Sequence, residues 1–283
     1  MNKNIFSKKF IKELSFQSVI EIIMLLIMIL LFVPVMVMLI MSFKTNWEIY
    51  NSFFALPKSI AWDNYSIAFK KLSVNMLNTL FVIAVAVALT LVVAGLSGYV
   101  FARMKFPGKN FIYFAILALM MIPGILYLAP NYNLIQRYGL YNTRWALIFP
   151  WVSGGQVLGI ILCRNAIEAL PKDLFEAAKI EGCGEINSLV RIALPLATPM
   201  LSTIAVMKLV DYYNDFIWPM MVIESNSKQV ITVAVKVFTS SVGTTEIGTM
   251  FAGYVIATIP LFILFMFTSR LYMEGMTAGA VKG

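Results

Sequence analysis

Residues 22–41 run for twenty positions without a charged side chain. A helix of that length rises about 30 Å, the thickness of a bilayer's hydrocarbon core. The run is too long for the core of a secretory leader, and no small-x-small cleavage pattern follows it. It therefore reads as an anchored first span, with Pro34 as a kink. The pattern recurs, and six spans are expected at about 20–42, 76–102, 110–130, 145–164, 198–223 and 247–270. With 60% of residues hydrophobic and 13% charged, a soluble domain has too little polar surface to cover the rest. The fold class is an all-α membrane protein, one transmembrane domain over 1–283 with six transmembrane helices. Pro123-Gly124 is expected to bend the third span and Pro260 the sixth, while 43–75 and 131–144 read as outer loops. Ala84, Ala88, Ala94 and Gly98, and the spacing Gly155-x-x-x-Gly159, place small residues where helices can approach closely.

Six spans leave both termini on one side. The termini, the turn at 103–109 and the loop at 164–199 hold thirteen Lys and Arg, against eight in the three opposite loops; Lys208 lies within a span. The richer side faces the cytoplasm. The net charge of +8 thus belongs with loops facing anionic lipid, and no basic cluster interleaved with aromatics points to nucleic acid. The absence of histidine removes Ser-His-Asp and Cys-His nucleophile systems and most zinc sites. Cys163 and Cys183 suggest neither a disulfide frame nor a metal cluster. No G-x-x-x-x-G-K-[ST] loop occurs; Pro107-Gly108-Lys109-Asn110 lacks the upstream glycine and the hydroxyl. No catalytic residue, metal site or cofactor is therefore expected in this chain, and if ATP drives it, another chain hydrolyses the ATP.

The densest polar stretch is the loop at 168–196. Pro171 suits a first helical turn, Asp173 and Glu176 favour the positive end of a helix dipole, and Leu174 and Ala178 share a face. Gly182 and Gly184 flank Cys183 where a left-handed turn is easiest, and a second helix from about Glu185 is expected to end near Pro195. By composition alone this is a solvated helix pair lying on the membrane. Its spacing is more particular: Glu176-Ala177-Ala178, three residues, Gly182, nine residues, then Ile192-x-Leu194-Pro195. That pattern resembles the EAA loop of permease subunits in ABC importers, including the maltose-type carbohydrate family. Glu181 stands where the family usually has Asp, and Cys183-Gly184 where it has Ala-Ser. Ala102 to Gly108 resembles the basic turn after the second span of those permeases, and the ending Gly275 to Gly283 is similar to that of the second permease subunit.

The resemblance implies the type I ABC importer permease fold, with a cytoplasmic coupling helix between the fourth and fifth transmembrane helices. It implies that Leu174, Glu176, Ala177, Ala178, Glu181, Gly182, Leu194 and Pro195 couple to an ATPase, and that Gly279, Lys282 and Gly283 enter the ATPase dimer interface. The implied partners are a second homologous permease subunit, two copies of a cytoplasmic ATPase that carry ATP and Mg, and an external sugar-binding protein. The implied location is a bacterial cell membrane, with both termini cytoplasmic.

Within the fifth span Lys208, Asp211 and Asp215 recur at i, i+3 and i+7, with Tyr212, Asn214 and Trp218 close by. Charge in hydrocarbon is costly, so these side chains face a wet cavity or one another. They read either as an ion pair that fixes helix packing, or as a polar wall of a sugar pathway, or as a proton relay. The leading function is a sugar importer permease. The alternatives are a proton-coupled secondary transporter using Asp211 and Asp215, and an ABC importer permease for a non-sugar solute.

Overall fold

The computed structural model describes the backbone of residues 3–242 and 246–280 and the side chains of residues 17–242 and 246–266. Among the described residues there is no strand. The helices in chain order are α1 (Lys3–Ser42), α2 (Asn46–Asn51), α3 (Trp62–Arg103), α4 (Lys109–Leu119), α5 (Leu128–Arg137), α6 (Trp145–Glu168) and α7 (Lys172–Ile180). They continue as α8 (Glu185–Ser188), α9 (Leu194–Leu196), α10 (Thr198–Asn214), α11 (Ile217–Val222), α12 (Ile231–Val242) and α13 (Ile247–Ala280). A π-helical turn at Leu189–Ala193 joins α8 to α9.

Among the described residues, four stretches are long and apolar enough to cross a membrane: Gln17–Ser42, Trp62–Arg103, Trp145–Glu168 and Ile247–Met266. Two more pass only as bent pairs, Lys109–Leu119 with Gly124–Arg137 at 96° and Glu185–Leu196 with Thr198–Asn214 at 73°. The bend expected at Pro123-Gly124 is therefore present. The expected single helix at 198–223 is not, because α10 ends at Asn214 and Asp215 turns to an extended conformation with ψ 123°. There Asp215 Oδ1 accepts from the Trp218 amide at 3.3 Å, serving the first turn of α11, and its carbonyl accepts from Thr232 at 3.0 Å. The expected outer loops are also partly helical: α3 starts at Trp62, well before residue 76, and α5 occupies part of 131–144.

The chain divides into two compact units, Met1–Lys70 with Phe238–Ile256, and Lys71–Val237 with Ala257–Gly283. In the first unit, Lys44 is fully buried and its ammonium donates to the Ser52 and Phe53 carbonyls at 2.7 and 2.9 Å. Asn64 donates to the Ser42 and Lys44 carbonyls, both at 2.9 Å, and accepts from Thr249. By contrast, residues 17–36 of α1 are all exposed on this chain.

In the second unit α3 and α6 touch backbone to backbone. A Cβ added at Gly98 would lie 2.5 Å from the Cys163 Cβ, and one at Gly159 would lie 2.8 Å from the Ala94 Cβ. The small residues of both helices thus meet one another, as membrane helices without large side chains at the contact do. Ala94, Cys163 and Ile204 form one buried cluster, joining α10 to this pair.

Candidate functional site

In the loop between α6 and α10 the joint at Gly182 forms as the glycine spacing predicts, whereas the second helix expected from Glu185 to near Pro195 is broken into α8, the π-helical turn and α9. Pro171 sits at the N-cap of α7, where its missing N–H costs nothing, and Asp173 and Lys179 occupy the first and last turns in the favourable sense for the helix dipole. At the other end the Cys183 amide donates to the Ala178 carbonyl at 2.9 Å and the Gly182 amide to the Lys179 carbonyl at 3.1 Å. Gly182 itself has φ +79°. This is a Schellman cap with glycine in the left-handed position, and it ends α7 sharply before α8 begins.

The sequence-predicted residues divide into two groups. Leu174, Glu176, Ala177, Glu181 and Gly182 are exposed, and Ala178 is half-buried. Leu194 instead packs against a core of Tyr99, Ile167, Leu189, Ala193 and Ala197, while Pro195 is exposed. The outward surface of the loop also carries Ile180, 87% exposed, and Ile186, 78% exposed. Gly279 lies in α13. Lys282 and Gly283 lie outside the described residues.

Three residues that the motif does not name fix the loop to α3. Arg103 is the last residue of α3. Its Nη2 donates to the Ile167 and Leu170 carbonyls, both at 2.7 Å, and its guanidinium lies 4.1 Å from the Phe175 ring centre. One turn earlier, Tyr99 donates its hydroxyl to Glu185 Oε2 at 2.7 Å. The basic turn at 103–109 marks Arg103 only as a charge on a loop, and Phe175 and Tyr99 carry no marker separating them from other apolar positions.

The polar residues of the fifth span do not act as one face. Lys208 and Asp211 form an ion pair at 2.8 Å, with the lysine side chain 12% and the aspartate 58% exposed. Asn214 is exposed and caps its own helix through the Val210 carbonyl at 2.9 Å. Tyr212, Asp215 and Trp218 turn inward. Tyr212 donates to the Trp151 carbonyl at 2.7 Å and stacks on the Trp151 ring, with centres 5.1 Å apart and an interplanar angle of 5°. Trp151 donates its indole N–H to Asp215 Oδ2 at 2.7 Å, and Trp218 donates to the Ala146 carbonyl at 2.9 Å. The four side chains form a polar knot, buried except at the half-buried Asp215, that joins α6 to the break between α10 and α11.

Residues 91–276 match the family described as binding-protein-dependent transport system inner membrane component. The chain is 30% identical over 251 residues to a probable ABC transporter permease protein, YurM, of Bacillus subtilis (strain 168), covering 88% of this chain and 83% of that one. It is 28% identical over 270 residues to the diacetylchitobiose uptake system permease protein NgcG of Streptomyces coelicolor, covering 94% and 89%. A solved bacterial ABC transporter involved in the import of the acidic polysaccharide alginate has a chain of the same fold, with TM-score 0.77 at 21% identity, over 92% of this chain and 97% of that one. The match takes in the last third of α3, the whole loop at 168–196 and the break at Asp215, so the elements just described are those the family model spans. This chain belongs to the family of binding-protein-dependent transport system inner membrane components.

Proposed function

We propose that this chain forms half of the translocation pathway of an ATP-driven sugar importer, with an oligosaccharide as substrate, and that its α7–α8 loop docks on a separate ATPase. As a transport-system membrane component it is not itself an enzyme. The observation that carries the docking is the outward surface of α7. Leu174 and Ile180, 44% and 87% exposed, flank Glu176 on a helix whose inner side is already held by the chain. Apolar residues left uncovered beside a charge, on a loop expected to face the cytoplasm, suit a protein surface better than water. Leu194 and Pro195 support the loop from behind, and Ala177, Ala178, Glu181 and Gly182 complete the docking surface.

The partners in this reading are a second permease subunit, two ATPase subunits that bind ATP and Mg, and an external sugar-binding protein. Both termini are cytoplasmic, and the end of the chain through Gly279, Lys282 and Gly283 reaches into the ATPase pair. Along the pathway Asp211 and Asn214 are the groups open to sugar hydroxyls, with the half-buried Lys208 paired to Asp211 beside them. Tyr212, Asp215 and Trp218 shape the same wall from behind. The named uptake system of the Streptomyces relative favours an oligosaccharide over other solutes.

The test is purification of this chain from its own cells, followed by reconstitution with the proteins that accompany it. ATP turnover should rise when the binding protein is supplied with diacetylchitobiose or maltooligosaccharides, and not with amino acids or phosphate. Gly182→Asp adds a carboxylate beside Glu181 in the docking surface, and should abolish the stimulated turnover while membrane insertion stays intact. Recovery of the chain without any ATPase, or normal coupling in Gly182→Asp, would remove the docking role.

A further inference from the structure

We propose that Arg103 and Tyr99 are positioning residues for transport: together they clip the α7–α8 loop to the end of α3, so that a displacement of the loop moves α3 and α6 as one body. The inference rests on the docking role given to the loop above, and extends it to the path by which force leaves the loop.

The chain's connectivity makes such a clip necessary. The loop is covalently continuous with α6 and with α10, so both follow it whatever the side chains do. Among the described residues its hydrogen bonds to α3 come from side chains of α3, Arg103 and Tyr99, which lie between 64 and 86 residues before their partners. Two attachments stand one helical turn apart. Arg103 gathers the end of α6, the link to α7 and the Phe175 ring of α7 onto one planar group. Arginine suits that task because its fork is rigid and its face stacks on aromatic rings, which an ammonium cannot reproduce. Tyr99 holds Glu185, the first residue of α8.

The Gly182 joint therefore lies between two points fixed to the same helix. Flexing at the joint must break one attachment or the other. Below the clip, Tyr99 is 4% exposed in the cluster that also holds Ile167 and Leu189. Beside it α3 already lies close against α6, since a Cβ added at Gly98 would be 2.5 Å from the Cys163 Cβ.

The experiment uses the assembled complex with a Cys183→Ser chain, because the remaining cysteine, Cys163, is fully buried. Spin labels are placed at Val92→Cys on α3 and Val190→Cys on the π-helical turn that follows α8, both exposed positions outside the docking surface. Their separation is measured without nucleotide and with ATP and vanadate. The expected result is a narrow distance distribution that does not change with nucleotide. In Arg103→Gln the distribution should broaden and become nucleotide-dependent, with the ATPase still bound and still hydrolysing ATP. Arg103→Lys keeps the charge without the planar fork and should fall between the two. A nucleotide-dependent distance in the unsubstituted clip, or an Arg103→Gln distribution identical to it, overturns the proposal. If Arg103→Gln does not assemble, Tyr99→Phe decides by the same two outcomes, since it keeps the ring and removes only the hydroxyl. Failure of the docking role is distinguishable: it appears as absence of the ATPase from the unsubstituted complex, while the label distance remains measurable on the permease alone.

Discussion

Gly155 and Gly182 are both required to be glycine, for unrelated reasons. At Gly182 the space is open and the backbone is left-handed, so any Cβ costs strain without a collision. At Gly155 the backbone is ordinary α-helix, but a Cβ would collide with the Tyr212 hydroxyl and lie 3.2 Å from Lys208 Cδ. Tyr212 has nowhere to move, because its ring is stacked on Trp151 and its hydroxyl is bonded to the Trp151 carbonyl, 3.1 Å from Thr90. Gly155→Ala should therefore destabilise the chain by about 1–3 kcal/mol, as overpacking in a filled core does. The measurement is the thermal midpoint of the detergent-solubilised complex. Adding Tyr212→Phe to Gly155→Ala should recover part of that loss, because it deletes the colliding atom, although Tyr212→Phe alone should cost about 1 kcal/mol for its lost hydrogen bond. Simple additivity of the two substitutions would show that the hydroxyl is not the obstacle.

At the scale of elements, α2 shows how a six-residue helix holds in a segment leading out of a span. Thr45 and Glu48 form a capping box, with the Glu48 amide donating to the Thr45 hydroxyl and Glu48 Oε2 accepting from the Thr45 amide at 3.2 Å. Glu48 Oε1 also accepts from the Lys58 amide at 3.0 Å, which ties the far end of the segment to the helix start. These backbone donors, Lys58 first and then Thr45, hold the Glu48 carboxyl below the usual carboxylate range. A group depressed in this way stabilises fully above its unfolded pKa, near 4.3, and loses that contribution as pH falls through the lower folded value. Hydrogen exchange of amides 45–61 should thus be slower in the unsubstituted chain than in Glu48→Gln at neutral pH. The difference should shrink only as the pH drops below the ordinary carboxylate range. A difference that stays constant down to strong acid would remove the carboxylate from the account.

The same scale decides what the sequence could reveal. The ends of α7 were legible because Pro171 and Gly182 each impose a backbone conformation on their own. The bend after α4 was legible for the same reason, through Pro123-Gly124. The end of α10 was not, since no proline or glycine stands at Asp215 and the break depends on partners from α6, α11 and α12. The reading of Lys208, Asp211 and Asp215 as one face failed at that point, although the pairing of the first two was sound. Nor was α12 anticipated. Its start, Val230-Ile231-Thr232-Val233-Ala234-Val235, has the alternation and branching of a strand. Its position is set from a distance: Asn75 and Asn78 take the carbonyls of residues 226, 228 and 229, and Thr79 accepts from the Ile231 amide at 2.7 Å.

For the whole molecule, the orientation in the membrane decides whether the α7 surface can meet an ATPase at all. Within the second unit, α6 is the measuring rod. Its 24 residues extend about 36 Å at 1.5 Å per residue, enough to cross a hydrocarbon core of about 30 Å. Tyr138, 70% exposed, precedes its start, and Ile180, 87% exposed, follows its end. The two must therefore be reached from opposite faces of the bilayer. The proposed orientation, with the loop in the cytoplasm, rests on the charge distribution: Arg164, Lys172, Lys179 and Arg191 cluster around the loop, whereas Arg137 and Arg144 stand at the other end. In intact cells lacking an outer barrier, a membrane-impermeant maleimide should label Tyr138→Cys and leave Ile180→Cys untouched in a Cys183→Ser background. Ile180→Cys should react once the membrane is opened, and should be shielded again when the ATPase is present. Labelling of Ile180→Cys from outside would invert the protein, placing the loop where no nucleotide-driven partner could reach it and leaving its exposed apolar residues without an occupant.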